Sequence, residues 1–357
     1  MSTVRGSALH ATPRHALGIL FVALLASGVP TQAAQPAATP TMLKRWVLGG
    51  DGGWDYLTLD KAGSRLFVSR GSRVDVIETA SGTIAGTIPN TNGVHGIALA
   101  EDLHRGFTSN GRADSVTMFD LDTLQVIKEV PIPGHNPDAI LYEPTGGHVF
   151  TFNGRSKDVT VLDAGTLAVI GRMPVPDKPE FAVDDGKGRL FVNIESDPGQ
   201  MVVIDSVKLA VIATWTLPAC ASPTGLAIDK VHHRLFSVCD GKVMAVTDSD
   251  SGKQIARVAI GDGPDAAAYD ARRGRVFSSN GDGTLSIVQQ VTPDRYAIAA
   301  TVPTMKGART MALDHASGNV YLVSAEFGVA PPATADTPRP RPPLKPGTFT
   351  LLLVGTP

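Results

Sequence analysis

Cysteine is almost missing from this chain: two residues, Cys220 and Cys239, in 357. Two thiols cannot build a disulfide-knit miniature scaffold or a four-cysteine metal site, so an apolar core must hold the fold. Aromatic residues are scarce at 6%, and neither charge sign dominates, with 32 Lys and Arg against 34 Asp and Glu. Without a basic excess there is no general means of gripping a phosphate backbone, which disfavours non-specific nucleic-acid binding. After residue 34 no apolar run approaches the length of a membrane-crossing helix. A nucleophile elbow, an HExxH pair and a dinucleotide-binding glycine fingerprint are also absent, so the commonest hydrolase, zincin and Rossmann chemistries have no motif here.

The one long apolar run, ALGILFVALLASGV (16–29), lies at the start. Arg5 and Arg14 precede it and the small-residue stretch TQAAQ (31–35) follows. That is the order of a secretory signal peptide, so residues 1–34 are expected to be removed and the mature protein to be periplasmic or secreted. No Cys follows the expected cut at Ala33 or Ala34, so a lipid anchor there is not expected. Residues 35–42 read as a linker, and the fold is expected over 43–357.

What the chain has in quantity is Gly (37), Pro (26) and 43% apolar residues. These are arranged as short β-branched and aromatic runs between turn clusters, the pattern of strands joined by tight turns. The runs recur. VDVIE, VTMFD, VTVLD, MVVID, VMAVT and LSIVQ begin at 74, 116, 159, 201, 243 and 285, a beat of 42 or 43 residues. A second series recurs every 40 to 45 residues: RLFVS (65–69), RGFTS (105–109), HVFTF (148–152), RLFVN (189–193), RLFSV (234–238), RVFSS (275–279) and NVYLV (319–323). Four strands per period of about 40–45 residues is the arithmetic of β-propeller blades.

The fold class is therefore all-β, a propeller of seven four-stranded antiparallel blades. The last unit supplies only TMALD, NVYLV and FTLLLVG, while the segment 43–50 has no blade of its own. Adding that segment as the outer strand of the last blade closes the ring and hides both sheet edges. Within the last blade the chain detours through a Pro-rich insertion, 329–347, carrying Arg339, Arg341 and Lys345. It reads either as an arm laid across one face or as a plain surface insertion.

Propeller geometry brings the start of each innermost strand and the end of each second strand to one face. The first set is Asp55, His95, Asp138, Glu180, Thr224, Asp265 and Arg309; the second is Arg70, Asn110, Asn153, Glu195, Asp240, Asn280 and Glu326. All are polar beside runs that are not. Four carboxylates and one Arg give the inner ring a formal charge near −3 with His95 neutral, which would focus a field on cations. Ligand binding is expected at Asp55, His95, Asp138, Glu180, Asp265 and Arg309, with Asn110, Asn153, Asn280 and Glu326 around them. His95, Asp138 and Glu180 form a candidate set for a divalent cation, Ca²⁺ or Mg²⁺ on oxygen and Zn²⁺ or Mn²⁺ with the His. The bland alternative is that these groups cap strand ends, pair with one another and hold channel water. Asn110-Gly111, Asn153-Gly154 and Asn280-Gly281 read as turn dipeptides tolerant of positive φ. Cys220 and Cys239 fall at one end of neighbouring strands, so a disulfide is expected in an oxidising compartment, two free buried thiols being the alternative.

The recurring units, such as RLFVNIESDPGQMVVIDSVKLAVIATWTLP (189–218), resemble the YVTN-type repeats of the YncE-like propeller family from about residue 43 onward. The literal tetrapeptide is absent, and RLFVS, RLFVN and NVYLV stand in its place. The resemblance implies an exported seven-bladed propeller. A DNA-binding role proposed for some members is not carried over to this mildly acidic chain. In repeat length the chain is also similar to lactonase-type propellers, which implies metal-assisted hydrolysis with Asp138, His95 or Glu180 as base or ligand, although no lactonase signature matches residue by residue. The expected function is a monomeric binding or scaffold module for a small molecule or protein partner, with a lactonase-type hydrolase as the alternative. A purely structural role through the rim or the Pro-rich arm is a third.

Overall fold

The computed structural model describes residues 8, 10, 39–334, 337 and 340–356. The expected signal peptide, apart from Ala8 and His10, and Arg339 of the insertion lie outside the described residues. The described chain forms seven four-stranded antiparallel sheets. Numbering blades in chain order and strands from the inside outward, blade 3 is Pro137–Glu143, His148–Asn153, Asp158–Asp163 and Val169–Pro174. Innermost strands of successive blades contact one another, and the innermost strand of blade 7, Met311–Leu313, contacts that of blade 1, Leu57–Leu59. The ring is closed.

Position in the blade explains the composition of each strand. Second strands are packed by neighbouring blades on both faces, so they are buried along their length and largely apolar: Leu66, Phe67 and Val68 are all fully buried. Outer strands such as Val126–Pro131 face solvent and carry Lys128 and Glu129. The cores lie between blades. One joins Phe150, Val161 and Met173 of blade 3 to Leu190, Val192 and Ile204 of blade 4.

Closure follows the expected route. Thr41–Val47 pairs antiparallel with Thr350–Gly355 and forms the outer strand of blade 7. It begins at Thr41, two residues inside the stretch read as linker. Blade 7 then packs on blade 1 through Tyr321, Val323 and Leu351 against Leu57, Leu66 and Val68.

At the end away from the polar ring, Arg side chains tie several blades to the next. Arg65 donates to the carbonyl of Leu121, Arg189 to that of Ser249, and Arg234 to that of Pro293. Cys220 and Cys239 are joined as a disulfide between the approach to blade 5 and the end of its second strand, with Cα atoms 5.2 Å apart.

Candidate polar site at the channel mouth

Four of the innermost strands begin with a local irregularity that aims one polar side chain out of the ladder. Strand register shifts between Val94 and Ile97, Pro137 and Ile140, Pro179 and Ala182, and Pro264 and Ala266. His95, Asp138, Glu180 and Asp265 lie within those shifts. A bulge of this kind re-aims a side chain and breaks pairing, and Pro suits the first residue of such a strand because its missing N–H costs little there. Gly111 follows the same logic from the second strand: a Cβ there would lie 2.7 Å from the His95 ring.

Three donors converge. The Asp55 Oδ2 atom lies 2.6 Å from His95 Nδ1, which is 3.7 Å from Asp138 Oδ1. One ligand atom from each of the three can be chosen so that all lie within 4.8 Å of one another. Lys178 Nζ sits 2.8 Å from both Glu180 Oε2 and Glu195 Oε2, and 4.0 Å from Asp138 Oδ2. Arg309 Nε is 3.3 Å from Asp265 Oδ2. One residue deeper, Tyr56 of blade 1 and Phe181 of blade 4 stack across the bore with centroids 5.6 Å apart and planes 15° apart. Beside them lies a cavity of about 50 Å³ lined by Asp55, Glu180, Asp265 and Thr310. That space suffices for water, and the buried Thr310 hydroxyl, which has no hydrogen-bond partner among the described residues, adjoins it.

Burial sets the protonation of the ring. It pushes Asp138 up to about 6, with His95 and Lys178 opposing the rise and Asp55 adding to it. Asp265 rises to about 7 because burial outweighs the pull of Arg309. Glu180 is raised well above the carboxylate range by burial and then by Asp138. Burial opposes the His95 imidazolium, but the hydrogen bond to Asp55 and the charge of Asp138 more than offset it, so His95 is raised. Lys178 is likewise raised against its burial by Glu180 and Glu195. The ring is thus less negative near neutrality than a formal count implies, and its charge varies with pH.

Several expected residues sit elsewhere in the wall. Asn110, Asn153 and Asn280 are fully buried. Their amides donate to Ser115 and Thr117, to Asp158 and Thr160, and to Thr284 and Ser286, latching second strand to third. They do not reach the opening, which corrects the expected ligand set. Nor do these Asn-Gly pairs adopt positive φ, which falls later in the turn, at Asp114, Lys157 and Gly283. Thr224 is buried and donates to the Pro264 carbonyl of blade 6. Arg70 is buried against the Phe349 ring and donates to the Asp51 carbonyl. Asp240 is exposed, and Glu326 is an exposed rim group paired with Lys345 at 2.9 Å. The donors that converge are Asp55, His95 and Asp138, so Asp55 stands in place of the expected Glu180, and Glu180 is ion-paired with Lys178.

Lys178, Tyr56 and Phe181 escaped the sequence reading. Lys178 lies two residues before Glu180 in DKPE, but its role depends on pairing with Glu195, a contact of register.

No protein-family model matches the sequence, and no curated protein matches it. Solved structures do. The chain is similar to the WD40 repeats of RRP9, with a TM-score of 0.74 and 10% identity over 89% of this chain and 100% of that one. It is similar to hydrazine synthase of Kuenenia stuttgartiensis, with a TM-score of 0.67 and 18% identity over 77% of this chain and 94% of that one. A chain of a mitotic checkpoint complex gives 0.71 and 12%, covering 95% and 99%. At such identities the likeness defines the class, a seven-bladed β-propeller, and nothing narrower.

Proposed function

We propose that this chain is an exported propeller of the YncE-like, YVTN-repeat kind that binds a ligand at its channel mouth, with a divalent cation held by Asp55, His95 and Asp138. The convergence of those three donors within 4.8 Å is the observation that carries the reading. One imidazole and two carboxylates suit Zn²⁺ or Mn²⁺ better than an all-oxygen Ca²⁺ cage. The Cys220–Cys239 disulfide and the leader-like residues 1–34 support export.

Calorimetric titration of chelator-treated protein with Zn²⁺, Mn²⁺, Ca²⁺ and Mg²⁺ tests the cation site. Saturable binding is expected, strengthening from pH 5 to 8 as His95 and Asp138 deprotonate, since protons compete with the metal. Asp55→Asn or His95→Gln should weaken it roughly tenfold or more. Absence of saturable heat with all four ions, together with unchanged thermal stability, would sink it.

The second reading is a lactonase-type hydrolase. The 2.6 Å Asp55–His95 hydrogen bond favours it, since an oriented imidazole beside a carboxyl can take a proton from water. Water would add to the lactone carbonyl carbon and the ring C–O bond would break, giving a hydroxy acid. Hydrolysis of a lactone panel, lost on chelation and in Asp138→Ala, would establish it; an inert panel would leave binding alone.

A further inference from the structure

Beyond the cation cluster, on the same face, lies a second pocket. The Pro-rich insertion leaves the second strand of blade 7 after Ser324 and returns at Thr350, so it emerges beside the mouth. Its neck is fastened. Gly328 N–H donates to the Pro343 carbonyl at 2.7 Å and Lys345 N–H to the Glu326 carbonyl at 2.8 Å. Phe327 and Leu344 form an isolated β-bridge, and the Lys345–Glu326 ion pair closes the outside. These contacts hold Arg341, Pro342 and Leu344 over the approach to blade 1.

Between arm and ring is a cavity of about 460 Å³, within the size range of small-molecule sites. Trp54, Phe327, Pro342 and Leu344 provide apolar walls, and Arg309 and Arg341 provide the charge. Trp54 and Phe327 pack with centroids 6.4 Å apart, and the space where a Gly53 side chain would stand is open. Arg309 keeps 47% of its side chain exposed while touching Asp265. Arg341 is exposed and makes no ion pair among the described residues.

We propose that this pocket binds a monoanionic carboxylate carrying an apolar, ring-shaped body. Two guanidinium groups exclude a cation and match a carboxylate's planar pair of oxygens. Four apolar walls and a single uncommitted Arg disfavour a multiply charged phosphate or a nucleic-acid strand. A second depression across the arm, lined by Lys306 and Lys345, is a poorer anion site because Glu326 neutralises Lys345. The pocket stands apart from the cation proposal, since neither Trp54 nor Arg341 is among the cation donors.

The test is calorimetry on chelator-treated protein with phenylacetate against phenylacetamide, and with N-acetylglycylphenylalanine against its C-terminal amide. At least one acid should bind saturably, and its amide about tenfold or more weakly. Binding by phenylacetate assigns a free acid; binding by the peptide acid alone assigns a chain end. Arg341→Gln should weaken binding about tenfold while moving Tm by less than about 2 °C, because that side chain supports no core. Trp54→Phe should keep most of the affinity and Trp54→Ala lose about tenfold. Equal binding of acid and amide, an unaffected Arg341→Gln, or no saturable heat with either pair up to ~10 mM would overturn the proposal.

Discussion

Two sets of buried carboxylates in this molecule behave oppositely. At the turn between first and second strands, Asp60, Asp185 and Asp229 are buried, but hydrogen bonds, from the turn and second strand at Asp60 and Asp185 and first from Gln290 of the next blade at Asp229, more than offset desolvation and lower all three below the usual value. Asp60, for instance, accepts from the Ser64 and Arg65 amides. At the mouth, Asp138 and Asp265 receive too little compensation and rise to about 6 and about 7. Between the ordinary carboxylate value and those values, the folded chain keeps protons that the unfolded chain has released. Stability should therefore fall as pH rises from about 4 to 7 through these two groups. His95, also raised, acts in the same direction: its contribution is complete below the unfolded imidazole value and fades as pH rises through the folded one. The turn carboxylates behave oppositely and lose their contribution only as pH falls through their lowered values. Asp265→Asn should remove up to about 1.4 kcal/mol per pH unit of the downward slope between pH 5 and 7, read from urea midpoints across pH. An unchanged slope would mean that Asp265 is ionised throughout.

Between elements, the blades interlock by exchanging large and small residues. The turn after the third strand needs one left-handed residue, supplied by Gly82 and Gly252 in blades 1 and 5 and by Leu124 and Leu209 in blades 2 and 4. Where it is Gly, a Trp from the preceding blade covers it: a Cβ on Gly82 or Gly252 would lie 2.4 Å from Trp46 or Trp215. At Leu124 and Leu209 the small residue lies on the neighbouring outer strand: a Cβ on Gly86 would lie 2.4 Å from Leu124, and on Gly171 3.2 Å from Leu209. Gly252→Ala meets both a positive φ and the Trp215 ring, and should cost about 2–3 kcal/mol. The measurement is the urea midpoint at constant slope; a variant as stable as the parent would show that this packing is dispensable.

At the scale of the molecule, closure depends on one strand from the opposite end of the chain. Thr41–Val47 covers an otherwise open edge at Thr350–Gly355 and carries Trp46 onto Gly82 of blade 1. Removing residues 41–47 should expose that edge, lower Tm by more than about 10 °C and promote association, seen by thermal scanning and size-exclusion chromatography. A monomer of unchanged Tm would show that the ring closes without it. The wheel also gives the mouth its composition, since each of its seven blades contributes one residue at the start of its innermost strand.

The period of 42 or 43 residues, the seven apolar second-strand runs and the spare first strand were enough to define the blades, their number and the closing partner. These are local patterns repeated, and burial of both blade faces imposes them on every copy. The polar ring was legible for the same reason: Asp55, His95 and Asp138 occur at one position of the repeat and converge wherever the ring closes. What only the tertiary structure decided is where each polar group finds its partners. Asn110, Asn153 and Asn280 sit at an equally regular position, yet the amide of each donates into its own blade, whereas Lys178 pairs with Glu180 and Glu195, and Asp55, His95 and Asp138 are the donors that meet. Repetition along a chain fixes where a backbone goes, but the direction of a side chain depends on bulge, register and competing partners, and those come from the neighbouring strand.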